Sequence, residues 1–394
     1  MVKRLLSVMA LGAIVAVSAS AASIAEKAVN SFSFTPQPVE QITAQVQPKA
    51  TLARVAPKKA TTKADLLGNY VAMFDCYSYS NSTMSASDPF YCGSGVELTA
   101  GTGDTILMPN LLSGDGYIKM VFDATNQTLT IPQQVVYSSS TYGDCYLYAT
   151  TENKTPIEMT IGDGAIYSQY YVYMYIASGD YAGYRLGGYY TLSLYEANGY
   201  VEAYSASDKG TYQWPALIAQ DESTYDIVVY NFADGEAPDT MTYIGSGQWN
   251  IGYDYVVDLS ATYGNFYPYS ATVSDGSDGS EQGYTLNEDS IIVAKAVNDQ
   301  EIDWEGWVLY SPRWQNTNGK NYYYDYFTYG KLVYEQNFLG YTGIVDVTAN
   351  TNRTVASTSY YNLMGVESAT PFDGLNIVVT KYTDGTKSAV KVIK

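Results

Sequence analysis

Tyrosine is the residue type through which this chain could bind other molecules, because 42 of its 394 residues are tyrosines. In two predicted strands they alternate with other residues, and period-two geometry then places each set on one face. These sets are Tyr171, Tyr173 and Tyr175 in the first strand and Tyr322, Tyr324 and Tyr326 in the second. The aliphatic residues between the first three tyrosines form the opposite face, which we predict to be core.

Exposed rows of aromatic side chains can stack on sugar rings or peptides, while tyrosine hydroxyls supply hydrogen bonds. Trp304, Trp307 and Trp314 form a second candidate platform of this kind. These patterns predict a surface that binds a glycan or a protein. The sequence also leaves open the alternative that the rings pack across strands inside a wide sheet, with at least one tryptophan in the core.

The absence of histidine restricts the catalytic chemistry of the chain. It excludes Ser-His-Asp and Cys-His nucleophilic sites, histidine-ligated zinc and imidazole acid-base catalysis. No nucleophile elbow, P-loop or dinucleotide-binding fingerprint is present either. A glycoside hydrolase that uses two carboxylates stays open, since two Asp or Glu residues suffice. No particular pair stands out, so we predict no catalytic residue.

The net charge argues against nucleic acid as a partner. The chain has 40 acidic and 21 basic residues, a formal net charge of −19 at pH 7. Such a chain repels phosphate backbones and anionic lipid.

One acidic loop is a candidate calcium site. Segment 274–281 contains Asp275, Asp278 and Glu281 among Gly and Ser residues. Calcium prefers such carboxylate-rich loops, but the spacing is not that of an EF-hand, and acidic turns of this composition are common. Calcium is therefore the one candidate cofactor, and no other metal or cofactor is expected.

The three cysteines are Cys76, Cys92 and Cys145. In an oxidising compartment they permit one disulfide and one remaining thiol. We favour Cys76 with Cys92, because this pair closes a short polar loop, with a stabilisation of roughly 3 kcal/mol. Pairs that include Cys145 stay open.

The N-terminus has the pattern of a signal peptide over residues 1–21. Lys3 and Arg4 precede an apolar run, and Ala19-Ser20-Ala21 is a cleavage site of the A-x-A type. The run is too short for a membrane span, and no other segment is apolar enough for a transmembrane helix. Residues 22–63 are rich in Pro, Ala, Gln and Lys, which predicts a disordered basic linker.

The remainder of the chain is predicted to be all-β. Runs rich in Tyr, Thr, Val and Ile alternate with turn residues, for example at 69–74, 117–123, 128–131, 189–195, 322–329 and 331–336. We divide them into β domains at 64–205 and 206–342, each a sandwich or barrel, followed by a C-terminal tail at 343–394.

The tail contains a hairpin signal. Asp384-Gly385 suits a two-residue type I′ turn, which predicts that Val379 pairs with Val390 and Ile377 with Val392. Two glycines precede this turn and two lysines follow it: Gly365, Gly374, Lys391 and Lys394.

With these residues, the tail resembles the C-terminal sorting tail of proteins exported by the type IX secretion system of Bacteroidetes-type bacteria. The resemblance implies a small Ig-like β fold, the type IX secretion machinery as a partner, and delivery through the periplasm to the outer-membrane surface or the medium. Asn376 departs from the family pattern, which usually has an aromatic residue there.

Together these observations predict an exported, non-catalytic cell-surface or secreted protein that binds glycans or proteins through tyrosine-rich sheet faces. The alternative is an extracellular, carboxylate-dependent glycoside hydrolase. A cleft holding two carboxylates would favour the enzyme, and a flat aromatic face would favour the binding protein.

Overall fold

The chain is all-β, as predicted. The structure is a computed structural model that describes residues 36–40, 42, 45–46, 60–80, 83–86, 93–112, 116–150, 155–162, 165–234, 237–252, 257–259, 264–315, 321–340, 355–362, 367–372, 375–383 and 387–393. Short 3-10 helices occur at Lys63–Leu66 and Phe232–Asp234. No helix in the described part of the chain has the length and apolar character needed to cross a membrane.

The strands follow one another in three groups. The first group comprises β1 (Gly68–Met73), β2 (Cys76–Ser80), β3 (Thr83–Ala86), β4 (Gly93–Ala100), β5 (Thr105–Pro109), β6 (Tyr117–Asp123), β7 (Thr128–Ile131), β8 (Val135–Ser139), β9 (Gly143–Ala149), β10 (Ile157–Gly162), β11 (Ala165–Ser168), β12 (Val172–Ile176), β13 (Arg185–Tyr190) and β14 (Ser193–Glu196). The second comprises β15 (Gly199–Ser205), β16 (Gly210–Gln220), β17 (Ile227–Tyr230), β18 (Asp239–Gly245), β19 (Gln248–Ile251), β20 (Val257–Leu259), β21 (Gly264–Ser274), β22 (Gly283–Leu286), β23 (Ile292–Ala296), β24 (Glu301–Gln315) and β25 (Asn321–Tyr334). The third comprises β26 (Val355–Tyr361), β27 (Glu367–Ser368), β28 (Leu375–Tyr382) and β29 (Lys387–Ile393).

The first group forms a closed barrel and a six-stranded sheet. The barrel has the order β1-β14-β11-β10-β7-β6-β5-β4, and β1 pairs with β4 to close it. Along β6, the buried side chains of Ile118, Met120 and Phe122 alternate with more exposed neighbours. The predicted strands 117–123 and 128–131 are confirmed, because they coincide with β6 and β7.

The six-stranded sheet has the order β3-β2-β13-β12-β9-β8. The chain crosses between sheet and barrel at several points, including β1–β2, β11–β12 and β13–β14, so the two share one apolar core. Val172, Met174 and Ile176 belong to this core, as predicted. The strand predicted at 189–195 is instead divided between β13 and β14, because the chain leaves the sheet there and enters the barrel.

A second barrel is closed by the pairing of β24 with β25. It continues from β24 through β23, β19, β18, β17, β16 and β15 to β25, while β20, β21 and β22 extend the sheet beyond β24. Large aromatic side chains fill the interior, among them Trp249, Phe232 and Phe266. β15 pairs with β16 and β25, so the first strand of this barrel precedes the predicted boundary at residue 206.

The two barrels pack against each other over a short connection. Val71 and Met73 of β1 and Tyr195 of β14 form an apolar cluster with Leu217 of β16. Asn198, in the connection itself, fixes its geometry: its Nδ2 donates to the carbonyl of Ile218 at 2.9 Å, and its Oδ1 accepts from the amide of Ile218 at 2.7 Å.

The C-terminal tail contains a four-stranded sheet in the order β27-β26-β28-β29. The predicted hairpin of β28 and β29 is present, but its register is wrong by one residue: Val378 pairs with Val390, and Ile377 with Lys391. Asn376 is buried and exchanges two hydrogen bonds with the main chain of Phe372. The other tail residues singled out from the sequence, Gly365, Gly374, Asp384, Gly385 and Lys394, lie outside the described residues, as do residues 1–21, where a signal peptide is predicted.

Part of the predicted linker packs on the first unit. We call segment 36–46 the N-terminal arm, of which residues 36–40, 42, 45 and 46 are described. Ile42 is 2% exposed and Val46 5% exposed, and both are covered by contacts with the six-stranded sheet or its surroundings. The expectation of a disordered linker therefore does not hold for these residues. The aliphatic side chains of Val39 and Ile42 pack on tyrosines of the six-stranded sheet.

Candidate functional site

A cavity of about 200 Å³ opens beside the outer face of the six-stranded sheet. Its lining combines aromatic rings with hydroxyl groups and one carboxylate. The residues concerned are Asp75, Tyr77, Tyr171, Thr191, Ser193 and Tyr195. Flat apolar rings next to hydrogen-bonding groups are the chemistry that suits a small polar ligand with an apolar face.

The polar side of the cavity is built where the chain crosses between sheet and barrel. Asp75 follows β1, and Thr191 precedes β14. The amide of Asp75 donates to Oγ1 of Thr191 at 3.0 Å, and the amide of Thr191 donates to the carbonyl of Asp75 at 3.0 Å. These two bonds hold the two connections together and so fix a carboxylate and a hydroxyl at the same cavity.

The aromatic side of the cavity is formed by Tyr77 and Tyr171. Their ring centroids are 5.0 Å apart with an interplanar angle of 71°, an edge-to-face contact that limits the movement of both rings. Burial, together with the charge of Asp75, raises the pKa of Tyr171. Its hydroxyl therefore stays protonated at neutral pH and can donate a hydrogen bond.

The N-terminal arm supplies a further wall through Gln45 and Val46. The amide of Val46 donates to the carbonyl of Gln169 at 2.7 Å, and Gln45 forms an isolated β-bridge with Tyr170. The cavity is thus completed by a segment that is distant in sequence from the strands it covers.

The predicted row of Tyr171, Tyr173 and Tyr175 does lie on one face of β12, but only Tyr171 lines the cavity. Tyr173 is 1% exposed and packs under the arm. Tyr175 stacks on Tyr148 at 4.6 Å with an interplanar angle of 11°. The row is therefore mostly packed against other residues of the chain.

The second predicted row is wrong, because Tyr322, Tyr324 and Tyr326 do not share a face. Tyr322 and Tyr324 pack on the interior of the second barrel, whereas Tyr326 belongs to a cluster on its outside. The pairing of β24 with β25 shifts register between Leu309 and Tyr310. Such a bulge inserts an extra residue and reverses the alternation beyond it.

The predicted tryptophan platform is not exposed. Trp304 and Trp307 are 3% and 0% exposed and belong to the interior of the second barrel, with ring centroids 6.1 Å apart. Between them, β24 changes its neighbour from β23 to β21. The side chain of Trp314 lies outside the described residues.

The acidic loop uses its carboxylates for turns. Oδ1 of Asp275 accepts from the amide of Ser277, and Oδ1 of Asp278 accepts from the amide of Ser280, both at 2.9 Å. Hydrogen bonds from the serine side chains, followed by these amide bonds, lower the pKa of both aspartates. Among the described residues, no group of three or more metal-ligating side chains is found here or elsewhere.

The predicted disulfide of Cys76 with Cys92 cannot be described, because Cys92 lies outside the described residues. Cys145 is completely buried in the first core. Burial, together with Asp144, raises the pKa of its thiol to about 11, so this thiol is unreactive at neutral pH.

A row of charged residues crosses the outside of the second barrel. Nζ of Lys331 lies 3.0 Å from Oε1 of Glu202. On its other side, Lys331 of β25 lies opposite Asp303 of β24 in the strand register. Burial, followed by the neighbouring Glu301, raises the pKa of Asp303 to about 6. Burial alone would raise the pKa of Glu202, but hydrogen bonds, the largest from Gln213, outweigh it and lower that pKa.

Most of the cavity residues were missed by reasoning from sequence. Asp75 and Thr191 are single polar residues between strands, and they meet across 116 positions. Tyr77 lies between Cys76 and Cys92, in the segment that the sequence predicts to be a polar loop. The local sequence contains no signal for the contact between Asp75 and Thr191, because this contact depends on where the chain crosses from sheet to barrel.

Comparison with known proteins gives no family for this chain. No protein-family model matches it, and neither the curated proteins nor the solved structures contain a match.

Proposed function

We propose that this is an exported, non-catalytic binding protein whose cavity takes one saccharide unit. The observation that carries the proposal is the cavity lining, which places the rings of Tyr77 and Tyr171 beside Asp75, Thr191 and Ser193. Sugars combine an apolar ring face with many hydroxyl groups, and this lining offers both a ring to stack on and groups to hydrogen-bond.

The size of the cavity supports a single sugar ring rather than a chain. At about 200 Å³ it is smaller than the ~300–1,000 Å³ typical of sites for drug-sized ligands. A terminal or branching unit of a longer glycan would fit such a site, with the rest of the glycan in solvent.

The carboxylate content of the cavity favours binding over hydrolysis. Glycoside hydrolysis ordinarily requires two carboxylates flanking the scissile bond. Of the described residues that line the cavity, Asp75 alone has a carboxylate. A carboxylate beside hydroxyl donors can accept paired hydrogen bonds from a sugar without further chemistry.

A glycan array with the full chain, followed by titration of the best glycan, tests the proposal. Tyr171→Ala should weaken binding by about tenfold or more, because a lost aromatic contact is worth about 1.4 kcal/mol. Asp75→Asn keeps the shape of the side chain and removes its charge, so it should also weaken binding.

Tyr117→Ala is the matched control, because Tyr117 is 56% exposed on β6 and does not line the cavity. It should bind as the unmodified chain does. The proposal fails if a folded chain binds no glycan, if it prefers peptides, or if Tyr171→Ala leaves the affinity unchanged.

Export is part of the same proposal, supported by the signal-peptide pattern and the sorting-tail resemblance. Deletion of residues 360–394 should leave the protein in the periplasm of a bacterium that has a type IX system. Fractionation followed by immunodetection measures this, and unchanged delivery to the cell surface would refute it.

Carboxylate-dependent glycoside hydrolysis is a second candidate, favoured by the charged row on the second barrel. Glu202 and Asp303 lie on either side of Lys331, at about two strand spacings or roughly 10 Å between main chains. Their pKa values are shifted in opposite directions, as in an acid and base pair. Hydrolysis of a polysaccharide by the full chain, lost in both Glu202→Gln and Asp303→Asn, would support this candidate.

A further inference from the structure

The outer face of the six-stranded sheet is an aromatic surface that already holds an extended peptide. We call this surface the tyrosine face; its members are Tyr77, Tyr79, Tyr148, Tyr171, Tyr173, Tyr175 and Tyr189. The N-terminal arm lies on it, with Val39 and Ile42 packed against Tyr173 and Tyr189. Both of these tyrosines are almost completely buried, at 1% and 0% exposure.

A set of polar contacts fixes the register of the arm. The hydroxyl of Tyr189 donates to Oε2 of Glu40 at 2.7 Å, and the amide of Glu40 donates to that hydroxyl at 3.0 Å. Nε of Arg185 lies 3.8 Å from the same carboxylate, and its guanidinium lies 4.5 Å from the centroid of the Tyr189 ring. The face therefore selects an acidic residue between two aliphatic ones.

The main-chain attachment of the arm is slight compared with that of the strands. Its described residues join the first unit through isolated bridges, Gln37 with Arg185 and Gln45 with Tyr170, rather than a continuous ladder. Residues 47–59 connect the arm to Ala60, and a segment of this length spans up to ~45 Å when fully extended. The covalent connection thus allows the arm to reach beyond its own tyrosine face.

We propose that the tyrosine face accepts the N-terminal arm of a second copy of this chain in exchange for its own. Exchange of an identical segment keeps every contact of the arm, including that of Glu40 with Arg185, and so requires no new complementary surface. Gln45 and Val46 belong to the arm and line the cavity. In the exchanged pair, each copy therefore completes the cavity of the other.

Charge reversal on opposite sides of the contact tests the exchange in the full chain. Glu40→Arg gives an arm that is repelled by its own face, and Arg185→Glu gives a face that repels its own arm. Across the two variants, however, the reversed arm matches the reversed face. We expect the mixed variants to form a heterodimer at least ~10-fold more abundant than the dimer of either variant alone.

Native mass spectrometry of differently tagged copies measures the heterodimer, and no sugar is needed for this readout. Its failure is therefore distinguishable from failure of glycan binding. A mixture that stays monomeric, with both variants folded by circular dichroism, would overturn the proposal.

A second measurement covers the case in which Arg185→Glu does not fold, since Arg185 is buried. The full chain with Ile42→Asp has an intact face and a weakened arm, and the probe is a fluorescent peptide of residues 36–46. The peptide should bind this variant at least ~10-fold more tightly than the unmodified chain, whose own arm competes. Equal or absent binding to the two chains would overturn the exchange.

Discussion

The tyrosine face of the first unit and the tyrosine cluster on the second barrel have the same composition but are covered in different ways. The second cluster comprises Tyr269, Tyr284, Tyr310, Tyr323 and Tyr326. Its cover is β22, which forms a continuous ladder with its sequence neighbour β21. The cover of the tyrosine face is the N-terminal arm, whose Glu40 meets Tyr189 across 149 positions.

This difference determines which surface can be vacated. Tyr284 on β22 lies 5.4 Å from both Tyr323 and Tyr326, ring centroid to ring centroid, and burial raises its pKa. Removing β22 would break a ladder of the sheet. Removing the arm breaks isolated bridges and leaves the strands beneath it paired. Tyrosine content alone therefore does not identify a binding surface; the attachment of the cover does.

The largest effect is expected from Tyr284→Ala. Because β22 is part of the folded sheet, loss of this ring should lower the free energy of unfolding of the second barrel by about 2–3 kcal/mol. Urea denaturation followed by tryptophan fluorescence measures it. Val293→Ala, at a side chain that is 40% exposed on β23 of the same barrel, is the control and should change stability by less than about 0.5 kcal/mol. Equal effects of both substitutions on the free energy of unfolding would contradict the conclusion that the ring of Tyr284 on β22 is an integral part of the folded second barrel.

A smaller and local effect is expected from Ile42→Ala. The loss of a buried aliphatic side chain should weaken docking of the arm by about 2 kcal/mol, while global unfolding changes little. Hydrogen exchange at the amides of Gln37 and Val46, which bond to the carbonyls of Arg185 and Gln169, should become roughly 30-fold faster.

Val135→Ala is the control for this measurement, because Val135 is 46% exposed on β8. It should leave exchange in the arm unchanged. If Ile42→Ala instead lowers global stability as much as Tyr284→Ala, the arm unfolds together with the sheet and the two covers are equivalent.

The smallest effect concerns pH and the charged row on the second barrel. Burial raises the pKa of Asp303 from 3.8 to about 6, so between these values the folded chain keeps a proton that the unfolded chain releases. The contribution of Asp303 to the free energy of unfolding is therefore fully present below pH 3.8 and is lost as the pH rises through about 6.

Asp303→Asn should remove this part of the pH dependence, which melting temperatures across the window would detect. The effect is small because Asp303 is only half-buried and solvent screens its charge. An unchanged slope in the variant would show that Asp303 does not keep the proton.

Local patterns predicted the elements whose partners are close in sequence. The hairpin of β6 and β7 was predicted with its bounds, because the alternation of buried and exposed residues and the turn at 124–127 lie within one short segment. The tail hairpin was predicted with the wrong register, since Val378 rather than Val379 pairs with Val390. One residue more or fewer in the turn shifts every pair of the hairpin, and the alternation within the strands does not reveal the length of the turn.

The prediction of side-chain direction from alternation was wrong where long strands bend. Strict alternation places Trp304 and Trp307 on opposite faces, yet both are interior, and it places Tyr324 and Tyr326 together, yet they are separated. The bulge in the pairing of β24 with β25 separates Tyr324 from Tyr326. The two tryptophans lie where β24 changes its neighbour from β23 to β21. Closing a sheet into a barrel requires such bends, and a pattern of period two does not contain them.

The sequence by itself determined that this chain is all-β, that Val172, Met174 and Ile176 face a core, and that its strands are rich in tyrosine. These properties follow from residue type and period, which act over a few neighbouring positions. Only the tertiary structure decided which tyrosines are covered, and by what. It also decided that Asp75 and Thr191 meet at a cavity walled by the N-terminal arm. Such contacts depend on the path of the chain between barrel and sheet, because residues more than a hundred positions apart meet only once the strands are paired.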